Sequence, residues 1–121
     1  LQTDASCLAI SGCLMQTHND IKFPVQFISR KLTSHEQNYS TIEQECLSLV
    51  YCLKKLKYFL LGVHFILETD AKALLYLNKN KHSTNKRLVR WSLEIQEYVF
   101  KTTFLKGSEN VIADFLSRTN P

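Results

Sequence analysis

Ser40-Thr41-Ile42-Glu43-Gln44-Glu45-Cys46-Leu47-Ser48-Leu49-Val50 is the stretch on which the fold turns. A serine followed three residues later by a glutamate is the signature of a capping box, with Ser40 as N-cap and Glu43 at N3. From Ile42 onward, Cys46, Leu49, Val50, Leu53, Leu56 and Leu60 recur at helical spacing on one face. The pattern predicts one long helix, ended by Gly62 in the C′ position where a left-handed residue is wanted. Lys54, Lys55 and Lys57 read as a solvated face near its C-terminus, where cations suit the dipole.

The patterning on either side predicts strands. Upstream, Leu1 to Ser6 and Leu8 to Gln16 are short apolar runs suited to a hairpin, and Thr17-His18-Asn19-Asp20 reads as a turn. Pro24 introduces a third strand over Val25 to Ser29, partly alternating. Downstream, Val63 to Thr69 reads as a strand, Ala71 to Leu77 as a short helix, and Asn78 to Asn85 as a polar loop. Lys86 to Glu97 carries Leu88, Trp91, Ser92 and Ile95 at helical spacing, and Val99 to Leu105 reads as a strand. Gly107-Ser108 breaks it before a final helix over Asn110 to Ser117. Successive strands favour hairpins and later strand–helix–strand crossovers favour parallel pairing, so a mixed α/β sheet flanked by helices is expected.

Size and composition agree. The 121 residues suit one domain, 1–121, with 45% apolar and 21% charged residues and only three glycines. A disordered or low-complexity chain is thereby excluded. No apolar run approaches the ~20 residues of a membrane-spanning helix, and no membrane partner is expected. The net charge of +4 permits a polyanionic partner. Cys7, Cys13, Cys46 and Cys52 form no CxxC pair and lie in apolar runs, which fits a reduced, intracellular setting better than zinc or disulfides. The chain opens on Leu1 within a strand, as a piece of a longer polypeptide would.

Carboxylates stand at the ends of these elements: Asp4 in the first strand, Asp70 closing the fourth, Asp114 in the last helix, and Glu43 and Glu45 in the first turns of the long one. Ligands gather at the carboxyl ends of strands in such sheets. Carboxylates brought together there repel one another unless a cation intervenes, and Mg²⁺ prefers such oxygen donors. Taken singly, each is most simply a cap or turn residue. Spacing alone leaves convergence open.

Several motifs occur in a specific order. They are Thr3-Asp4-Ala5-Ser6, Ser29-Arg30-Lys31-Leu32, Tyr39 to Glu45, Leu67-Glu68-Thr69-Asp70, Arg90-Trp91, and Gly107 to Arg118. In that order the chain resembles, from Leu1 to Arg118, the ribonuclease H domain at the end of the reverse transcriptase of gypsy-type LTR retrotransposons. The resemblance implies a ribonuclease H-like fold, a five-stranded mixed sheet with helices on both faces. It implies hydrolysis of the RNA strand of RNA–DNA hybrids by an Asp-Glu-Asp-Asp set holding two Mg²⁺ ions, for which Mn²⁺ may substitute. Carried over by position, the set is Asp4, Glu45, Asp70 and Asp114, with Asp4 as the bridging ligand. Two cations about 3.5–4 Å apart serve the attacking water and the leaving oxygen of an in-line displacement. An upstream polymerase domain of the same polyprotein is the implied partner, and the cytoplasm or a retrotransposon virus-like particle the implied location.

Three departures from the family pattern follow. His18, His35, His64 and His82 all lie outside the loop from Leu105 to Ser108, so no loop histidine is expected to shuttle protons. Only three residues precede Asp4, so the first strand is expected to be short. Ser11 stands where glycine is usual.

Between Asp70 and Glu94 lie Lys72, Lys79, Lys81, Lys86, Arg87 and Arg90 with no acidic residue among them. Such a segment suits phosphate contact, though a solvated face reads equally well for the lysines alone. A hybrid of A-like form is read by shape, so no base code is expected. Two other readings compete with a nuclease. One is a catalytically inactive nucleic-acid-positioning module, a connection domain or domesticated remnant. The other is an integrase or transposase core, disfavoured by the acidic order and the lack of a His/Cys zinc module. Helix geometry alone leaves Glu43 and Glu45 equivalent. If Glu43 completes the cap, Glu45 is the one free to hold metal.

Overall fold

The structure is a computed structural model and describes residues 1–6, 8–69 and 71–104. Asp70, Asp114 and the expected final helix lie outside the described residues. Five strands form one sheet: β1 (Gln2–Ala5), β2 (Ala9–His18), β3 (Ile21–Lys31), β4 (Phe65–Thr69) and β5 (Phe100–Phe104), in spatial order β3-β2-β1-β4-β5. The pairings of β1 with β2 and of β2 with β3 are antiparallel, and β4 runs parallel to both β1 and β5. This is the expected mixed sheet. Helices α1 (Thr41–Lys55), α3 (Ala71–Lys79) and α4 (Lys86–Ile95) pack against one another, and α1 lies on β1 and β2. A short α2 (Lys57–Leu60) follows α1.

Several boundaries differ from expectation: α3 runs on to Lys79, taking Asn78 and Lys79 from the expected loop, β4 starts at Phe65 and α4 ends at Ile95. Thr17 and His18 remain in β2, so the turn is only Asn19-Asp20, with φ of 52° and 64°. Two consecutive left-handed residues make the tight turn whose twist matches a hairpin, and Asn and Asp tolerate that conformation best after glycine. The third strand starts at Ile21 and includes Pro24, because β3 is the sheet's edge and a bulge between Leu14 and Met15 opens the ladder beside it. The long helix breaks at Leu56 (φ −102°, ψ 19°) and resumes as α2 before Gly62 (φ 78°) ends it. Leu56 and Leu60 stay buried across the break, so the apolar face survives the loss of helical geometry.

The core is the face read from the sequence. Cys46, Leu49, Val50, Leu53, Leu56 and Leu60 pack with Ile10, Leu14, Leu67, Leu88, Trp91 and Ile95. Gly12 is required beneath this helix: a Cβ there would lie 2.4 Å from Cys52 Sγ and 3.3 Å from the Gln2 carbonyl. Cys13, Cys46 and Cys52 are free and buried, and burial pushes the thiols of Cys46 and Cys52 up to about 12, which leaves them unreactive.

Candidate active site

Parallel strands β1 and β4 frame the first candidate position, Asp4. Alternation sends Gln2 and Thr3 to opposite faces. Gln2 Nε2 donates to Glu68 Oε2 at 2.6 Å on one, and Thr3 Oγ1 lies 2.9 Å from Thr69 Oγ1 on the other. Asp4, half-buried, follows on the Gln2 face opposite Ser11, one residue before β1 ends. Helix α1 covers the other face, since Cys52 closes on Gly12, which pairs with Thr3. Asp4 is thus carried on the face opposite the one that α1 covers.

The first turns of α1 are tied to that end. Ser48 Oγ lies 2.6 Å from the Asp4 carbonyl and 3.0 Å from the Ser11 carbonyl, so one buried proton is shared across the β1–β2 rung. Glu45 stands three residues earlier, a neighbour of Ser48 on the helix surface. Cys46 Sγ donates to the Ala73 carbonyl at 3.4 Å, holding the same turn against the start of α3. Glu45 is thus bracketed by a contact to β1 and a contact to the helix that follows β4. Sequence reasoning missed Ser48, although a serine amid the apolar run of α1 was a signal for a buried hydroxyl with a fixed partner.

Glu43 is committed elsewhere. Its Oε1 accepts from Ser40 N–H (3.3 Å) and Ser40 Oγ–H (2.8 Å), its own N–H donates to Ser40 Oγ (3.3 Å), and Arg87 Nη2 donates to its Oε2. Burial opposes its ionisation, but the hydrogen bonds from Ser40 and Arg87 outweigh burial and hold the carboxyl below its usual range. The expected capping box is formed. Among the described residues no three His, Cys, Asp or Glu side chains gather as a metal site. Asp70 and Asp114, half of the expected set, are not among those residues.

The basic segment divides in two. Lys72, Lys79, Lys81, Lys86 and Arg90 are exposed, along and after α3 and on α4. Arg87 is not displayed in this way. Also a candidate for substrate contact, it is ion-paired to Glu43 with its guanidinium carbon 4.1 Å from the Tyr39 ring centroid. The reason is helical phase: Arg87 shares the inward face of α4 with the buried Trp91, four residues on. Asn85, at the end of the expected polar loop, caps α4 by accepting from the N–H groups of Arg87 (3.0 Å) and Leu88 (3.4 Å). Sequence reasoning also missed the link of Arg30 to Glu36, two charge-assisted bonds of 2.6 and 3.0 Å, which anchors the Ser29-Arg30-Lys31-Leu32 motif. No described helix is long and apolar enough to cross a membrane.

Comparisons with known proteins agree with this architecture. Residues 1–98 match the family described as the RNase H-like domain found in reverse transcriptase. The chain is 42% identical over 118 residues to the retrovirus-related Pol polyprotein from transposon 297 of Drosophila melanogaster, covering 98% of this chain and 11% of that protein. It is 38% identical over 122 residues to the corresponding polyprotein from transposon opus, covering 100% of this chain and 12% of that protein. To the transposon Tf2-3 polyprotein of Schizosaccharomyces pombe it is 37% identical over 122 residues, covering 98% and 9%. The chain thus spans about a tenth of the length of these curated relatives. With this sheet order, this helix and these relatives, the chain belongs to the RNase H-like domains found in reverse transcriptase.

Proposed function

We propose that this domain is a metal-dependent nuclease that hydrolyses the RNA strand of RNA–DNA hybrids as part of a retrotransposon reverse transcriptase. The observation that supports it most is the placement of Glu45. Its helical turn is tied through Ser48 to the Asp4 rung and through Cys46 to the start of α3, while the nearby Glu43 is occupied by its cap and by Arg87. A structural helix end needs one cap carboxylate. The second, on a turn that Ser48 ties to the backbone of the strand carrying Asp4, is a carboxylate of the kind a hard cation favours.

The donor set fits Mg²⁺ or Mn²⁺. Asp4 and Glu45, with Asp70 and Asp114 in the proposed set, would hold two ions. When bound, they would lower the pKa of an attacking water and neutralise charge growing on the leaving 3′-oxygen. The protein's share is placement. In this reading β1 would carry Asp4 and α1 Glu45 to the metals, and the exposed Lys72, Lys79, Lys81, Lys86 and Arg90 would offer charge to phosphates of the hybrid. We assign the upstream polymerase domain of the same polyprotein as the partner that supplies most of the hybrid affinity. We place the activity in the cytoplasm or in virus-like particles.

The test is cleavage of a labelled RNA–DNA hybrid by the purified domain with Mg²⁺. Asp4→Asn and Glu45→Gln are expected to abolish cleavage with folding intact, whereas Glu43→Gln, which still completes a capping box, retains it. Cleavage surviving EDTA, or loss in Glu43→Gln with retention in Glu45→Gln, would overturn the assignment. A folded wild-type domain that binds the hybrid without cutting it would make this a positioning module instead.

A further inference from the structure

Arg87 stands on α4 against the first turn of α1, and its guanidinium is engaged within the domain. Its guanidinium donates to Glu43 Oε2, and its central carbon stands 4.1 Å from the Tyr39 ring centroid and 5.4 Å from that of Trp91. Tyr39 and Trp91 themselves meet edge to face, with centroids 6.1 Å apart. One arginine therefore joins three elements: the segment entering α1, the first turn of α1, and α4. The side chains of the ion pair are only 27% (Arg87) and 16% (Glu43) exposed, so the pair is shielded from water.

Stability alone is a poor account of such a pair. A largely buried ion pair can often be replaced by apolar side chains at no loss, because desolvation offsets the attraction. The Nε–H of Arg87 is moreover buried without a partner, a cost that an apolar residue would not carry. What a planar, forked and stacked cation adds is direction. Here the direction couples two surfaces of α4. Lys86 and Arg90, four residues apart, share its exposed face, and Arg87 and Trp91, also four apart, share the inward one. Fixing Arg87 against Glu43 therefore fixes where Lys86 and Arg90 stand relative to Glu45, two residues beyond Glu43.

We infer that Arg87 is a positioning residue that sets the phosphate-facing surface of α4 in register with the carboxylate-bearing turn of α1, and is not itself a phosphate contact. This rests on the nuclease reading above, and the readouts separate the two.

Binding of a fluorescein-labelled RNA–DNA hybrid is measured by anisotropy across a salt series for the wild-type chain, Arg87→Met and Arg90→Met, with Mg²⁺-dependent kcat and KM alongside. A lost phosphate contact lowers the slope of log K against log salt by about one. Arg90→Met is expected to show that change. Arg87→Met is expected to keep the wild-type slope and KM while kcat falls about tenfold. If Arg87→Met does not fold by circular dichroism, Arg87→Gln, which loses the guanidinium that stacks on Tyr39 and is too short to reach Glu43 as Arg87 does, carries the same expectation. A slope lowered by one in the Arg87 variant makes it a phosphate contact and overturns the inference, as does an unchanged kcat with only thermal stability reduced. A wild-type chain that binds the hybrid but does not cut it sinks the nuclease reading, and Arg87 with it. That result is distinct, because the Arg87 slope would still match wild type.

Discussion

Where β1 and β4 finish, the molecule is cross-linked by polar groups: Thr3 to Thr69, Ser48 to the carbonyls of Asp4 and Ser11, Cys46 to Ala73, and Glu43 to Ser40 and Arg87. Where the same strands begin, the surroundings are apolar. Leu1, Leu14, Val25, Phe59, Val63 and Ile66 line a cavity of about 670 Å³. Its charged tie is Glu68, which accepts from Lys22 and Gln2. Directional bonds hold atoms to tenths of an ångström and fail when one partner goes, whereas apolar contact is non-directional and forgiving. A site that must place several oxygens on one ligand needs the first kind. The two ends should therefore differ in their tolerance of substitution.

The severest test is Gly12, one rung from Asp4. Gly12→Val is expected to lose roughly 3 kcal/mol, at the top of the overpacking range, and Gly12→Ala about 1–2 kcal/mol because Cys52 can turn aside. Urea denaturation reads both, and Cys52→Ala should recover part of the Gly12→Ala loss. If Gly12→Ala costs nothing, the close approach of α1 to β2 is wrong.

Next comes the direct contrast. Ser48→Ala removes a buried proton shared by two carbonyls and is expected to cost about 1–3 kcal/mol. Phe59→Ser, at the half-exposed apolar end, should stay within about 0.5 kcal/mol. Equal losses in thermal melts would erase the distinction between the ends.

Acid sharpens it further. Arg30 holds the Glu36 carboxyl below its usual value of 4.5. Glu43 and Glu68 are also lowered, hydrogen bonding outweighing burial in each. A carboxylate with a depressed folded pKa contributes stability fully present above its unfolded value and lost as pH falls through the folded one. Stability should therefore hold at neutral pH and decline below about 4.5, more shallowly in Glu36→Gln and Glu43→Gln. A decline identical to wild type in both variants would contradict the pairings.

The smallest effect is expected at Lys22. Its side chain is half-exposed, and Glu68 keeps its bond to Gln2 when it goes, so Lys22→Met should change stability by less than about 1 kcal/mol. A larger loss would make the Lys22–Glu68 tie as strong as those at the polar end.

What was legible in the sequence was local. The Ser40–Glu43 cap, the apolar face of α1, the terminal role of Gly62 and the order of strands and helices all rest on interactions within a few residues, whose spacing the chain displays directly. The same locality made the capping role of Glu43 legible, because the cap spans only three residues. The boundaries that moved depended on neighbours in space. Pro24 sits in a strand because that strand is an edge, and Thr17 and His18 stay extended because β3 is there to pair with them. Tertiary structure alone decided that Ser48 clamps the Asp4 rung, that Gly12 lies under Cys52, and that Arg87 turns inward to Glu43 and Tyr39 while Lys86 and Arg90 face out. A charge in a basic run carries no mark of which way its helix faces. That direction is set by what packs against the helix, which linear spacing does not contain.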